Sequence, residues 1–370
     1  MKQSHARRGA KTVRRQKVVT ASRSPKPRTT SDLAMSNLGE VRVGPIMAIP
    51  TVLREFGVKP QRAFSVAGID PRIFQNPDNR IPLDEVGRLL EVCIELTGCG
   101  HFGVLVGERF DLRSFGALGC LLRNSASVGD ALRSLVLHLH MHDRGAAPVL
   151  LAPHPSKIIL GYSVYRSETP AIPQIYDAAI AIAYKILQEL CGPAWKPQTV
   201  QFSYRRPSNI EPYRRIFQSP VRFGAEVSGI VFPAFYLQRP ISDADPSLHD
   251  ILVAAMENAA NGRLSLSEKV QEVLPQMVLG GTSAANVVAR LFDMPERTLR
   301  RRLAKEGKNL QHLVQQARFE LAQQMLKNTE RPVTGIAASL RYEDANAFSR
   351  AFRKWAGVSP QQWRLAACPP

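Results

Sequence analysis

Residues 289–305, A-R-L-F-D-M-P-E-R-T-L-R-R-R-L-A-K, decide the fold of the C-terminal part of this chain once they are laid over residues 338–354, A-S-L-R-Y-E-D-A-N-A-F-S-R-A-F-R-K. Adding 49 carries Ala289 to Ala338, Leu291 to Leu340, Leu299 to Phe348, Arg301 to Arg350, Leu303 to Phe352 and Lys305 to Lys354. At each step the residue is kept or one apolar side chain replaces another. Each unit reads as helix, break, helix. In the first, a helix over 284–292 gives way at Asp293-Met294-Pro295, and a second helix follows as far as Gly307. In the other, a helix over 334–340 gives way at Arg341-Tyr342-Glu343, and the next runs to Gly357. Pro295 suits a first helical turn, where its missing N–H costs nothing, and Asp344 is a good N-cap. The pattern predicts two helix-turn-helix units, in which the second helix of each lies in the major groove of DNA.

The side-chain arithmetic agrees. Leu299 and Leu303 stand at i and i+4 and define a buried face, which leaves Arg297, Arg300 and Arg301 projecting from another side. In the second unit Phe348 and Phe352 are the buried pair, while Asn346, Ser349 and Arg350 project. Arginine matches guanine O6 and N7, and asparagine matches adenine N6 and N7, so these six residues are the candidate base readers. Arg302, Lys305, Arg353 and Lys354 lie further round or further along and suit phosphates. A solvated basic face would explain one such helix, but two in matched register point to recognition. Between the units Leu310, Leu313, Val314, Ala317, Leu321 and Met325 follow helical spacing. That connector, over 310–327, spans about 27 Å at the α-helical rise, a scale that holds two reading helices in groove segments about 34 Å apart.

Charge separates the chain into three parts. The net +18 of its 370 residues divides into +10 over 1–31, zero over 32–282 and +8 over 283–370. The first part is rich in Arg, Lys, Ser, Thr and Pro and nearly free of large apolar residues, so it cannot offset its own ordering entropy. It reads as a disordered extension, or as untranslated sequence if the start is Met35 or Met47, in preference to a nonspecific nucleic-acid arm. A membrane partner is not expected, because no run of about 18 uncharged apolar residues occurs; the best stretch, 172–190, contains Asp177, Lys185 and Glu189. The basic start lacks the apolar core of a secretory signal. Five cysteines without C-x-x-C spacing give no disulfide framework or zinc cage, and the expected location is the cytoplasm.

The neutral middle part becomes globular from Pro45. Leu83, Val86, Leu89, Leu90 and Cys93 mark a helix that Gly98 stops. Further helices are expected over 102–110, 116–123, 128–141, 172–190 and 249–261. Strands are expected over 148–152, 157–165 and 197–204, with a short fourth over 229–232. This is a mixed α+β body. Its most chemical-looking stretch is H-L-H-M-H-D, His138 to Asp143. On a strand the three imidazoles would share a face; on a helix only His138 and His142 align. The helix reading of 128–139 breaks the three-ligand geometry, so no metal site and no cofactor are expected. The sequence contains no G-x-S-x-G and no Walker loop, and nothing argues for an enzyme. The rival readings are a nonspecific nucleic-acid-binding protein driven by the tail and basic helices, or a metal-assisted activity at His138 and His142.

Residues 283–364 resemble the DNA-binding domain of the AraC/XylS family of bacterial transcription regulators. The residues that carry the likeness are R-x-x-x-A at Arg318 to Ala322, and I-A-A-S-L-R-Y-E-D-A-N-A-F-S-R-A-F-R-K-W-A-G-V-S-P-Q-Q-W-R from Ile336 to Arg364. The body resembles the family's arabinose-binding type of sensor domain at G-I-D-P-R-I-F (68–74), G-A-L-G-C-L-L-R-N-S (116–125), Y-R-R-I-F-Q-S-P-V-R-F (213–223) and L-Q-R-P-I-S-D-A-D (237–245). The expected architecture is an α+β sensor domain followed by an all-α domain of two helix-turn-helix units joined by a linker helix. The expected boundaries are a basic tail over 1–44, a sensor over 45–262, a linker or connecting helix over 263–282 and a DNA-binding domain over 283–370. The resemblance implies a sequence-specific regulator, expected to activate, with double-stranded DNA, RNA polymerase, an unidentified small-molecule effector and a second copy of the chain as partners. Two departures stand out. Pro295 occupies a position where the family often has Ser, which removes a side-chain cap, and Gln218 replaces a common Gly.

Overall fold

The structure, a computed structural model, describes residues 39–143, 145–164, 169–260, 265–280, 284–292, 294–328 and 331–367. The basic tail up to residue 38 and Asp293 of the first break lie outside the described residues. The fold begins ahead of the boundary expected at Pro45: β1 (Glu40–Arg42) pairs antiparallel with β2 (Arg80–Pro82), and Val41 and Val43 are buried. Three residues are too short a run for alternation to show in sequence.

Two short helices, α1 (Ile49–Glu55) and α2 (Pro60–Ala67), lead to α3 (Leu83–Thr97). Asp84 and Glu85 stand in the first turn of α3, where the helix dipole favours anions, and Gly98 ends it in the left-handed region. Then come α4 (Phe102–Glu108), α5 (Ala117–Arg123) and α6 (Val128–His138). Ser127 caps α6 by accepting from the Asp130 N–H. The sheet begins with the antiparallel hairpin β3 (Ala146–His154) and β4 (Lys157–Val164). After it, α7 (Ile172–Cys191) is buried along most of its circumference. It packs on α4 so closely that a Cβ at Gly103 would come within 2.2 Å of the Gln174 carbonyl oxygen, and one at Gly107 within 2.4 Å of that of Ala178.

The chain continues through β5 (Thr199–Gln201), α8 (Glu211–Phe217), β6 (Val221–Arg222) and β7 (Ser228–Pro233). The larger sheet has the order β3-β4-β7-β5-β6, antiparallel except for the β5–β6 pair. The strand expected over 197–204 is therefore three residues long. Beyond Gln201 the Phe202 N–H still bonds the Arg222 carbonyl, but Ser203 turns to the Ser228 hydroxyl.

Both faces of the sheet are covered. Ile158, Leu160 and Val164 of β4 and Ile230 and Phe232 of β7 face the first core, with α7, α3 and α6. Along β3, Leu150 faces that core while Val149 and Leu151 face a second one. That is why 148–152 is apolar without alternation. After α9 (Pro246–Ala260), the second core is supplied by α10 (Leu266–Gly280), α11 (Ala284–Leu291), α12 (Glu296–Lys305), α13 (Leu310–Asn328), α14 (Val333–Ser339), α15 (Ala345–Ala356) and α16 (Pro360–Ala367). Val270, Val273, Leu274 and Val278 of α10 are buried against β3 and α13. The architecture is the expected α+β body followed by an all-α region. No single helix among the described residues is long and apolar enough to cross a membrane.

Candidate nucleic-acid interface

Each helix-turn-helix unit places its candidate reading helix on a hydrophobic anchor. In the first, α11 leads into Pro295, which takes extended backbone at the start of α12 and provides no side-chain cap. Leu299 and Leu303 are fully buried. Their burial orients α12 and leaves Arg297, Arg300, Arg301, Arg302 and Lys305 exposed. Arg300 is engaged along its own helix, since Glu296 accepts from it at 2.7 Å. Such an exposed i,i+4 pair contributes about 0.3–0.5 kcal/mol, small enough for Arg300 to exchange that carboxylate for a nucleic-acid acceptor.

The second unit is capped better. The Asp344 carboxylate accepts from the Ala347 N–H at 2.6 Å at the start of α15, and Gly357 closes its end with φ 75°. Phe348 and Phe352 fill the buried face and pack on each other, on Tyr342, on Phe319 and on Trp363. Asn346, Arg350, Arg353 and Lys354 are exposed, and Ser349 is half-buried. The turn between α14 and α15 holds Arg341 at φ 60°, a left-handed conformation that a branched or bulky residue adopts only at a cost. The candidate readers Arg297, Arg300 and Arg301 therefore share one helix, and Asn346, Ser349 and Arg350 share its counterpart 49 residues on. Of the four expected phosphate contacts, Arg302 and Lys305 lie on α12, and Arg353 and Lys354 lie on α15.

The connector α13 is more than a spacer. Leu310, Leu313, Ala317, Leu321, Ala322, Met325 and Leu326 are buried on it, and it touches α10, α15 and α16. The R-x-x-x-A pair has visible roles: Arg318 stacks over the Tyr342 ring at 5.4 Å, and Ala322 is buried. At the far end Arg364 of α16 donates to the carbonyls of Leu326 and Arg331, at 3.2 and 2.6 Å, and so ties α16 to the end of the connector.

The histidine cluster of the body has a structural environment. The α-helix ends at His138, whose Nδ1 lies 2.9 Å from the Ser134 carbonyl, and a single 3₁₀ turn spans Leu139–Met141. His142 accepts from Arg42 at 2.7 Å and packs against Phe115 with the rings tilted. Among the described residues no three His, Cys, Asp or Glu side chains converge as a ligand set.

Comparison with known proteins now places the chain. The family described as the arabinose-binding domain of AraC transcription regulators, N-terminal, matches residues 57–241, half of the chain, and a helix-turn-helix domain family matches residues 288–366. The chain belongs to the AraC family of transcription regulators. Relatives match along most of their length. The HTH-type transcriptional regulator VirS of Mycobacterium tuberculosis is 27% identical over 326 residues, covering 88% of this chain and 96% of its own. The ornithine utilization regulator of Pseudomonas aeruginosa is 26% identical over 331 residues, covering 86% and 94%. Over the C-terminal region alone, the HTH-type transcriptional activator RhaR of Klebsiella pneumoniae is 40% identical over 70 residues, 19% of this chain and 25% of its own. This AraC-family chain is thus a sequence-specific DNA-binding regulator with a sensor-type N-terminal domain, and its family is one of regulators, not of enzymes.

Some of what the structure holds was not visible in the sequence. The pairing of Arg300 with Glu296 has a helical-spacing signal that could have been read. The ion pair of Arg331 with Glu226, at 2.8 Å and 105 residues apart, has none.

Proposed function

We propose that this AraC-family chain activates transcription by reading two adjacent major-groove segments of one operator with α12 and α15. Arg297, Arg300, Arg301, Asn346, Ser349 and Arg350 contact base edges, and Arg302, Lys305, Arg353 and Lys354 hold the phosphates. The observation that carries this reading is the matched register: buried pairs 49 residues apart orient two helices with equivalent cationic and polar faces. The DNA-binding domain is assigned to 283–370 and the sensor to 45–262, with 263–282 connecting them. Within the connecting stretch, α10 lies between the sheet and α13, so a change on the sensor side has a packed route to the reading helices. A small-molecule effector acts by preferring the DNA-competent arrangement. RNA polymerase is the downstream partner, and a second copy of the chain is the assembly partner.

Selection of binding sites from random duplexes with the full chain tests this reading. The expected product is a site with two sequence-constrained segments about one helical turn apart, which unrelated DNA does not displace. Equal retention of unrelated DNA would instead support nonspecific binding driven by the basic residues.

A further inference from the structure

A cavity of about 100 Å³ lies between α7 and the sheet, walled also by β1, α3 and α6. Native interiors are packed to the density of organic crystals and leave few voids larger than a water molecule. Of the 22 described residues that line this one, Arg42, His142, Asp143 and Tyr162 alone carry polar side chains. These four form two hydrogen-bonded pairs. Arg42 donates to His142 Nδ1 at 2.7 Å and to the Asp78 carboxylate, and the Tyr162 hydroxyl donates to Asp143.

The two pairs favour one kind of ligand head. A guanidinium offers donors only, so Nδ1 of His142 is the acceptor and its ring proton sits on Nε2. Burial and the Arg42 charge hold this imidazole neutral, pushing its pKa down to about 3. The Asp143 carboxylate already accepts from Tyr162 and from the N–H groups of Gly145 and Ala146, at 2.8 and 3.1 Å. Three of its roughly four acceptor sites are filled, whereas Arg42 and His142 bring N–H donors to the wall.

We propose that this cavity binds a small, mainly apolar molecule, of the size of one ring or a short acyl chain, with a single hydrogen-bond-accepting head, carboxylate or carbonyl, held by Arg42 and His142. Its regulatory meaning rests on the reading of the body as a sensor. A sugar is the wrong chemistry, because a hydroxyl on nearly every carbon would be buried against Ile175, Ala178, Ile182 and Leu83 without partners. One lining residue also reaches a second crevice. Tyr162 lines the cavity and, with Leu321, Gln324 and Met325 of α13, a crevice at the contact between the sheet and the connector helix.

The test uses the full chain, titrated with benzoate, hexanoate, benzylamine and L-arabinose and followed by calorimetry and thermal melting. Benzoate or hexanoate is expected to raise Tm by several degrees at 100 times its Kd, and benzylamine and L-arabinose to leave it unchanged. Ala179→Phe, which fills the void, should abolish the shift, and Arg42→Gln should weaken binding at least tenfold. Arg42→Gln keeps the test decisive if the filled variant does not fold. Binding of L-arabinose or benzylamine as tight as that of benzoate, no response to any probe, or full binding by Arg42→Gln would overturn the proposal. If benzoate binds the parent chain and not the variants, yet operator affinity is the same with and without it, the ligand assignment stands and the sensor reading falls.

Discussion

Arg331, ahead of the second helix-turn-helix unit, donates to the carboxylate of Glu226 on the segment leading into β7, at 2.8 Å. The same guanidinium donates to the Ser339 hydroxyl at the end of α14. One side chain thus touches both the segment leading into the sensor sheet and the DNA-binding region. With Glu226 more than half exposed, the pair itself contributes less than about 1 kcal/mol to stability. Glu226→Gln and Arg331→Gln should each leave the denaturant midpoint nearly unchanged, while a double-mutant cycle on operator affinity gives a non-zero coupling. A cycle that closes to zero would mean that the contact transmits nothing.

The reading helices make opposite kinds of prediction for different residues. Arg301→Ala or Arg350→Ala should each lose about 1–3 kcal/mol of operator binding and relax base preference in one segment of the site. Lys305→Ala or Lys354→Ala should weaken all sequences alike and lower the salt slope by about 1. Competition assays at several salt concentrations separate the two. Unchanged base preference in both arginine variants would remove them from the base-reading set.

Asp177 of α7 is fully buried and accepts hydrogen bonds from the Tyr204 and Tyr213 hydroxyls. Burial is the leading influence and pushes its pKa up to about 7, against an ordinary value of 3.8. The folded chain therefore keeps a proton that the unfolded chain has released between about pH 4 and 7. Stability contributed by this group is full below about 4 and is lost as pH rises through 7, an effect on the order of 4 kcal/mol. Asp143, pushed up to about 6 chiefly by burial, adds to the same trend. Denaturant melts from pH 5 to pH 8 should show the decline in the parent chain and a shallower one in Asp177→Asn. Equal slopes would show that the carboxyl does not titrate in this way.

Gln218 ends α8 in the left-handed region, with φ 49°, where its N–H bonds the Arg214 carbonyl. A glycine takes that conformation without the Cβ penalty. Gln218→Gly should stabilise the chain by about 0.5–1 kcal/mol, net of the larger unfolded-state entropy of glycine, and shift the denaturant midpoint upward. A lower midpoint would mean that the glutamine side chain makes contacts worth more than the strain.

The parts of this molecule that sequence revealed are those where a period is repeated. Leu299 and Leu303 against Phe348 and Phe352 expose the two reading helices, and Leu83 to Cys93 expose α3, because burial on one face imposes helical spacing. The cavity escapes such reading. Val41, Val86, Leu135, Leu160 and Ile186 each look like ordinary core residues, and only tertiary structure shows that they fail to meet. Arg42 and His142 are 100 positions apart, and neither carries a local signal of the other. The strands β1, β5 and β6 have two or three residues each, fewer than an alternation needs. The αL conformation at Gln218 was foreshadowed by the missing glycine, but the dihedral itself was not.

Glu306, the residue following α12, accepts from the backbone N–H groups of Leu266 and Ser267 at the start of α10, at 3.1 and 2.8 Å. The carboxylate that follows the first reading helix is therefore also the cap of the helix lying on the sensor sheet. Coupling through such a contact is reciprocal: the factor by which an effector tightens operator binding is the factor by which the operator tightens effector binding. If an activating effector binds as proposed, a chain already seated on its operator saturates at a lower effector concentration than one free in solution, and the DNA would then help to set the threshold of its own regulator.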